Sequence, residues 1–156
     1  MSLDKRISEH VSYDEATYSS TANRLGIDNT PDDFHLASMV LVAEMVFEPL
    51  RAHFGCPIGI TSFYRSEPLN RALKGSFRSS HMKGEAMDLD ADIYGGLSNR
   101  DIFEYISDNL EFDQLIWEFG SDENPAWVHV SYSCDNNRMQ ILKAVKENGK
   151  TTYHKL

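Results

Sequence analysis

Ser79-Ser80-His81-Met82-Lys83-Gly84-Glu85-Ala86-Met87-Asp88 holds a histidine and an aspartate seven positions apart, with a glycine between them. From Ala86 to Ala91 apolar and acidic residues alternate, the pattern of a strand at the edge of a sheet. On a strand, residues of equal parity share a face. Asp88 therefore points with Ala86, while Met87 and Leu89 point the other way, into a core. Downstream, Trp127-Val128-His129-Val130 alternates in the same manner. Trp127, His129 and Ser131 share one face, with Val128 and Val130 buried behind. Two such strands in one sheet would bring Asp88 and His129 together, with His81 arriving from the preceding loop. Gly84 would relieve crowding where the backbone passes close to that meeting point.

Outward from these strands the chain reads as helices first and strands after. Ser12-Tyr13-Asp14-Glu15 has capping-box spacing and starts a short helix. Arg24 to Thr30 reads as a loop. Thr30 then caps a helix with Pro31 in its first position and Asp32 and Asp33 at its positive end. Leu36, Val40, Ala43, Phe47, Leu50 and Phe54 make its core stripe, Pro49 should kink it, and Gly55 with Pro57 ends it. Ile58 to Phe63 is a short strand, Pro68 to Leu73 a brief helix that stops near Gly75, and Ser98 caps a helix containing Ile102, Phe103 and Ile106. Phe112 to Phe119 and Ala126 to Tyr132 are strands joined by a polar turn. A C-terminal hairpin spans 139–154 around Asn148-Gly149. The fold class is α+β, helices packed on a small, mainly antiparallel sheet.

The 156 residues fit a single domain, 1–156, able to bury a core without staples. Net charge is −9 and no long basic run occurs, which argues against nucleic acid or an anionic membrane as a partner. Cys56 and Cys134 lie far apart and read as free core thiols. The charged start Met1-Ser2-Leu3-Asp4-Lys5-Arg6 shows no secretory signal, and no apolar run approaches the ~20 residues needed to span a bilayer. The expectation is a monomer, made in the cytoplasm and not inserted in a membrane.

Two imidazoles and a carboxylate, His81, Asp88 and His129, form the three-ligand set that leaves a zinc ion one open position for water, the arrangement of a hydrolase. The alternative is two unrelated histidines, one on a loop and one in a strand. A zinc hydrolase also needs a general base. Glu118 ends the strand Leu115-Ile116-Trp117-Glu118, and folding back at the polar turn would set it across from the His129 strand. The alternative is a solvent-facing glutamate at a strand end. Arg65 suits bidentate capture of a substrate carboxylate, or is a surface arginine. Ser79 either bonds substrate or holds its loop. His10, His35, His53 and His154 have no partners at ligand spacing. Asp88, Asp90 and Asp92 match the first acids of an EF-hand, but Ile93 and Asn99 stand where glycine and glutamate are required, so a calcium loop is rejected.

At these residues the sequence resembles the M15 peptidases, the zinc D-Ala-D-Ala carboxypeptidase and dipeptidase group that shares the Hedgehog/DD-peptidase fold. The SxHxxGxAxD signature is complete in Ser79, His81, Gly84, Ala86 and Asp88, and Trp127-Val128-His129 matches the context of the third ligand. Tyr64-Arg65-Ser66, with Leu69-Asn70 behind it, looks like the element whose arginine binds the substrate's terminal carboxylate. The likeness runs over about 34–132.

It implies one Zn2+ on His81, Asp88 and His129, Glu118 as catalytic base, Arg65 and Ser79 at the substrate, and a peptidoglycan stem peptide as partner. It also implies either carboxypeptidase or endopeptidase action. More loosely, the chain is similar to single-domain endolysins of bacteriophage and prophage, which reach the wall after release. Many members carry the acid three residues before the last ligand, where this chain has Ala126; others carry it across the hairpin, as Glu118 would be. A non-catalytic zinc-binding module of the same fold is the alternative.

Overall fold

The computed structural model describes residues 5–156, so the stretch Met1–Asp4 lies outside the described residues. A two-stranded ribbon, β1 (Arg6–Ser8) and β2 (Val11–Ser12), leads into α1 (Tyr13–Thr17), which Ser12 caps as its spacing predicts. The stretch read as a loop from Arg24 begins inside a helix, α2 (Ser20–Leu25), capped by the Ser19 hydroxyl and closed by Gly26. Next comes α3 (Asp33–Val42). Its cap is Asp32 and not Thr30: the Asp32 carboxylate accepts the His35 N–H while the His35 ring accepts the Asp32 N–H. Thr30 turns its hydroxyl to Asp28 instead.

Pro49 falls in the first turn of a second helical segment rather than inside α3. α3 passes through one π-helical turn, Ala43–Phe47, into α4 (Glu48–Phe54). Proline supplies no N–H, and the wider turn, in which the Glu48 N–H reaches the Ala43 carbonyl, absorbs the missing bond. Met39, Val42, Val46, Phe47 and Leu50 are buried, while Val40, read as core, is 40% exposed. Gly55 ends α4 in the left-handed conformation, as expected.

The rest of the chain builds the sheet: β3 (Gly59–Ser62), α5 (Glu67–Ala72), a tight 3-10 turn at Ser80–Lys83, β4 (Ala86–Asp90), α6 (Asn99–Asn109), β5 (Gln114–Glu118), β6 (Trp127–Ser131), β7 (Gln140–Glu147) and β8 (Lys150–Lys155). The strand order is β3-β4-β6-β5-β7-β8. The class is α+β, as the pattern predicts. β4 is not an edge, since β3 pairs one side of it and β6 the other. Its acidic face resembles a solvated rim only because that face carries the site.

β5 and β6 are antiparallel across the predicted turn. β7 then runs parallel to β5. The far side of β6 is taken by β4, and β7 adds at the open side of β5. The hairpin closes through Asn148 and Gly149, both at positive φ, the turn that Asn-Gly favours.

One face of the sheet (Met87, Leu89, Leu115, Trp117, Val128, Val130) packs on Val42, Val46, Phe47, Ile102 and Ile106 in the main core. Each such buried chain contributes ~2 kcal/mol of apolar transfer. Register places Ser62, Asp88, His129 and Ile116 in one row on the opposite face, with Glu118 and Trp127 paired in the next. Cys56 and Cys134 are free as read, but neither is a core residue: one is half-buried and the other exposed.

Candidate metal centre

Asp88 and His129 are direct neighbours on β4 and β6, so backbone pairing alone brings their side chains together. His81 enters from the 3-10 turn. The Ser79 hydroxyl accepts the His81 N–H at that turn's start, and Gly84 closes it at a φ of 73°. A Cβ on Gly84 would lie 2.6 Å from the His35 carbonyl. The close approach that requires glycine is thus to α3 and not to the ligand cluster, contrary to the expectation.

His81 Nδ1 donates to the Phe63 carbonyl at 2.7 Å, and its Nε2 lies 3.2 Å from Asp88 Oδ1. His129 Nδ1 lies 3.0 Å from the same oxygen. The imidazoles stand edge to face, 5.2 Å apart, and one atom from each of the three residues falls within 4.8 Å of the others. Only a proton on Nδ1 can satisfy a carbonyl, so the Nε2 lone pair of His81 is aimed at the cluster, the orientation a second partner imposes on a metal-binding histidine.

Burial holds the His81 ring below its usual range, outweighing the pull of Asp88. Burial works to raise Asp88, but the His81 and His129 imidazoles outweigh it and hold the carboxyl well below the usual range. His81 Nε2, His129 Nδ1 and an oxygen of Asp88 thus converge as a set of lone-pair donors. Such a set fits a divalent cation.

Arg65 borders the cluster. Its Nη2 lies 3.3 Å from Asp88 Oδ2, and its Nε donates to Ser62 Oγ. Its backbone N–H donates to the His81 carbonyl, which ties the two motifs together. Asn29, read only as loop, fixes this segment: its amide donates to the Thr17 and Tyr64 carbonyls while its oxygen accepts the Ser66 N–H. A cavity of about 370 Å³ opens alongside, lined among others by Tyr18, Ser62, Tyr64, Arg65, Asp88 and Trp127.

Glu118 stands opposite Trp127 on the same face and is only 8% exposed. Burial pushes its carboxyl up to about 7, with Asp88 adding to the rise and His129 and Arg65 opposing it. A carboxylate near neutrality is poised to take and return a proton. Gly120 sharpens the turn behind it, where a Cβ would lie 2.3 Å from the Asn124 carbonyl. Asn99, fully buried, ties that turn to β4: its amide donates to Asp90 and to the carbonyls of Pro125 and Ala126, and its oxygen accepts the Ala91 N–H. The sequence offered no sign of this beyond its place after the Ser98 cap.

Of the histidines read as having no partners at ligand spacing, His35 pairs with Asp32 and His154 with Glu147, while the His10 Nδ1 lies 2.6 Å from Glu48 Oε2 within a Glu9–His10–Glu48 group. Glu48 also accepts from the Ser8 hydroxyl and the His10 N–H, so this group fastens the β1–β2 ribbon to α4.

With α3, α4 and α6 packed on one sheet face and a two-histidine, one-aspartate cluster on the other, this is an α+β protein with a cluster that could hold a metal ion. The chain belongs to peptidase family M15: the family model described as Peptidase M15 matches residues 9–131, from the β1–β2 ribbon through β6. Members of this family are typically zinc-dependent, and the cluster can hold an ion. No curated protein matches the chain.

Proposed function

We propose that this chain is a single-domain zinc peptidase that cleaves stem peptides of peptidoglycan. The observation that carries the reading is a buried carboxyl, Glu118, on the face of the sheet that holds His81, Asp88 and His129. His81, Asp88 and His129 hold one zinc ion, which when bound supplies a Lewis acid for the scissile carbonyl and its attacking water. Glu118 accepts the proton that the water gives up on attack and delivers it to the leaving nitrogen as the C–N bond breaks. Arg65 pairs with a carboxylate of the substrate. Ser79 holds the His81 turn and can offer its hydroxyl to the substrate backbone. The low-dielectric surroundings of Glu118 keep the proton transfer away from bulk water.

An endolysin-type role, reaching the wall after release, accords with a chain in which no described helix is long and apolar enough to cross a membrane. Mass spectrometry of purified peptidoglycan digested by the zinc-loaded protein tests the reading. New peptide termini are expected, with Glu118→Ala inert yet still zinc-bound. A wild type as inert as the variant across a broad panel of wall peptides would leave a metal-holding, non-catalytic module.

A further inference from the structure

β7 and β8 lie outside the family match yet complete the sheet, and their register carries the face of the site outward. Glu118 pairs with Ala144, and Ala144 pairs with Tyr153. Laterally paired residues share a face, so Tyr153 stands on the face of Asp88, His129 and Glu118. It lies two strands beyond Glu118, roughly 10 Å at ~4.8 Å per strand. The residue between them is alanine. Ala144, Ile116 and Leu142, with Phe119 packed against them, form a small buried apolar cluster beneath the side chains of this face. Tyr153 rises at the far rim, 55% exposed. Burial, then the charges of Glu118 and Asp88, raise its hydroxyl above the usual range, so both carboxylates lie within its electrostatic reach.

Arg65 and its cavity occupy the other side of the cluster. A peptide with its carboxyl end at Arg65 and its scissile bond over the cluster, if it continues in the same direction across the sheet, passes over β5 and β7 toward β8. From β6 to β8 is three strand spacings, roughly 14 Å, which about four extended residues span. We infer that Tyr153 binds substrate, and that the C-terminal hairpin walls a subsite for the peptide segment N-terminal to the cleaved bond. This rests on the peptidase reading and deepens it: the substrate class is peptides with several residues upstream of that bond, not bare dipeptides.

The probes are stem peptides that share their C-terminal end and cleaved bond and lengthen at the N-terminus from two residues to five. With zinc-loaded wild type, kcat/KM is expected to rise with length, through KM. Tyr153→Ala is expected to raise KM for the longest peptide about tenfold with kcat within about twofold, and Tyr153→Phe to keep most of the gain, since the ring supplies the contact. The same length dependence in wild type and Tyr153→Ala overturns the inference, as does a wild type that works best on the dipeptide. Calorimetric titration of these peptides into Glu118→Gln, with and without Tyr153→Ala, reads affinity without turnover. An about tenfold loss on the longest peptide supports the subsite, and equal affinities overturn it. Length-dependent binding without any cleavage by wild type would defeat the peptidase reading alone.

Discussion

Arg65 and Asp88 meet at 3.3 Å through Nη2 and Oδ2, while the other oxygen of Asp88 faces both imidazoles. The arginine thus orients the Asp88 carboxylate from behind. Arg65→Ala is expected to weaken zinc binding by about 10–100-fold, the usual effect of losing such an outer contact. Competition against a chelator of known affinity measures this. Arg65→Lys keeps the charge but loses the fork that reaches Ser62 and Asp88 together, and should fall between the two.

His129→Ala and Asp88→Ala each remove a ligand, and elemental analysis should find zinc falling from about one ion per chain to near none. With zinc at ~1,000 times its dissociation constant, binding adds ~4 kcal/mol to the folded state. At ~2–4 °C per kcal/mol, the melting temperature of wild type should rise by roughly 8–16 °C and fall back with chelator. Neither variant should respond.

Glu118 gives the metal-free protein a pH signature. Its folded carboxyl sits at about 7, above the ordinary 4.5. Between those values the folded chain keeps a proton that the unfolded chain releases, so stability falls as pH rises through the window. The full effect is on the order of 3 kcal/mol. Denaturant titrations of metal-free protein at pH 5 and pH 8 should show wild type losing this stability and Glu118→Gln retaining it. His81, held below its usual range, works in the opposite sense in the same window, so the difference between the two profiles is the readout, and identical profiles would contradict the buried carboxyl.

Asn99→Ala should cost about 2–4 kcal/mol in urea unfolding, because the Ala91 N–H and two carbonyls of the β5–β6 turn lose their partner in a buried setting. That turn follows Glu118 directly, so kcat should suffer more than KM in the folded fraction.

Much of the site could be read from the chain because strand alternation is local. Asp88 and His129 each declare their face within five residues, and only the pairing of β4 with β6 had to be supplied. The SxHxxGxAxD spacing added His81, whose direction depends on the Phe63 carbonyl and on a turn without periodicity. What stayed hidden depends on distant partners. Asn29 and Asn99 look like ordinary loop and helix-start residues until their acceptors come near. Val40 was misplaced because Met39 and Val40 both sit at helical steps from Leu36 and Ala43, and only the packing of the folded chain selects Met39 for the core. The parallel β5–β7 contact uses the side of β5 that remained open, a matter of the whole sheet and not of any segment.

The outer strands also answer a hazard that catalysis does not pose. β8 ends the sheet with Lys150, His154 and Lys155 exposed, and the opposite border, β3, is only four residues long. Charged or abbreviated borders discourage strands of other molecules from adding on. Cut the chain before β7 and the border becomes β5, apolar along Leu115, Ile116 and Trp117: a shortened protein would be prone to self-association through the very strand that carries its acid.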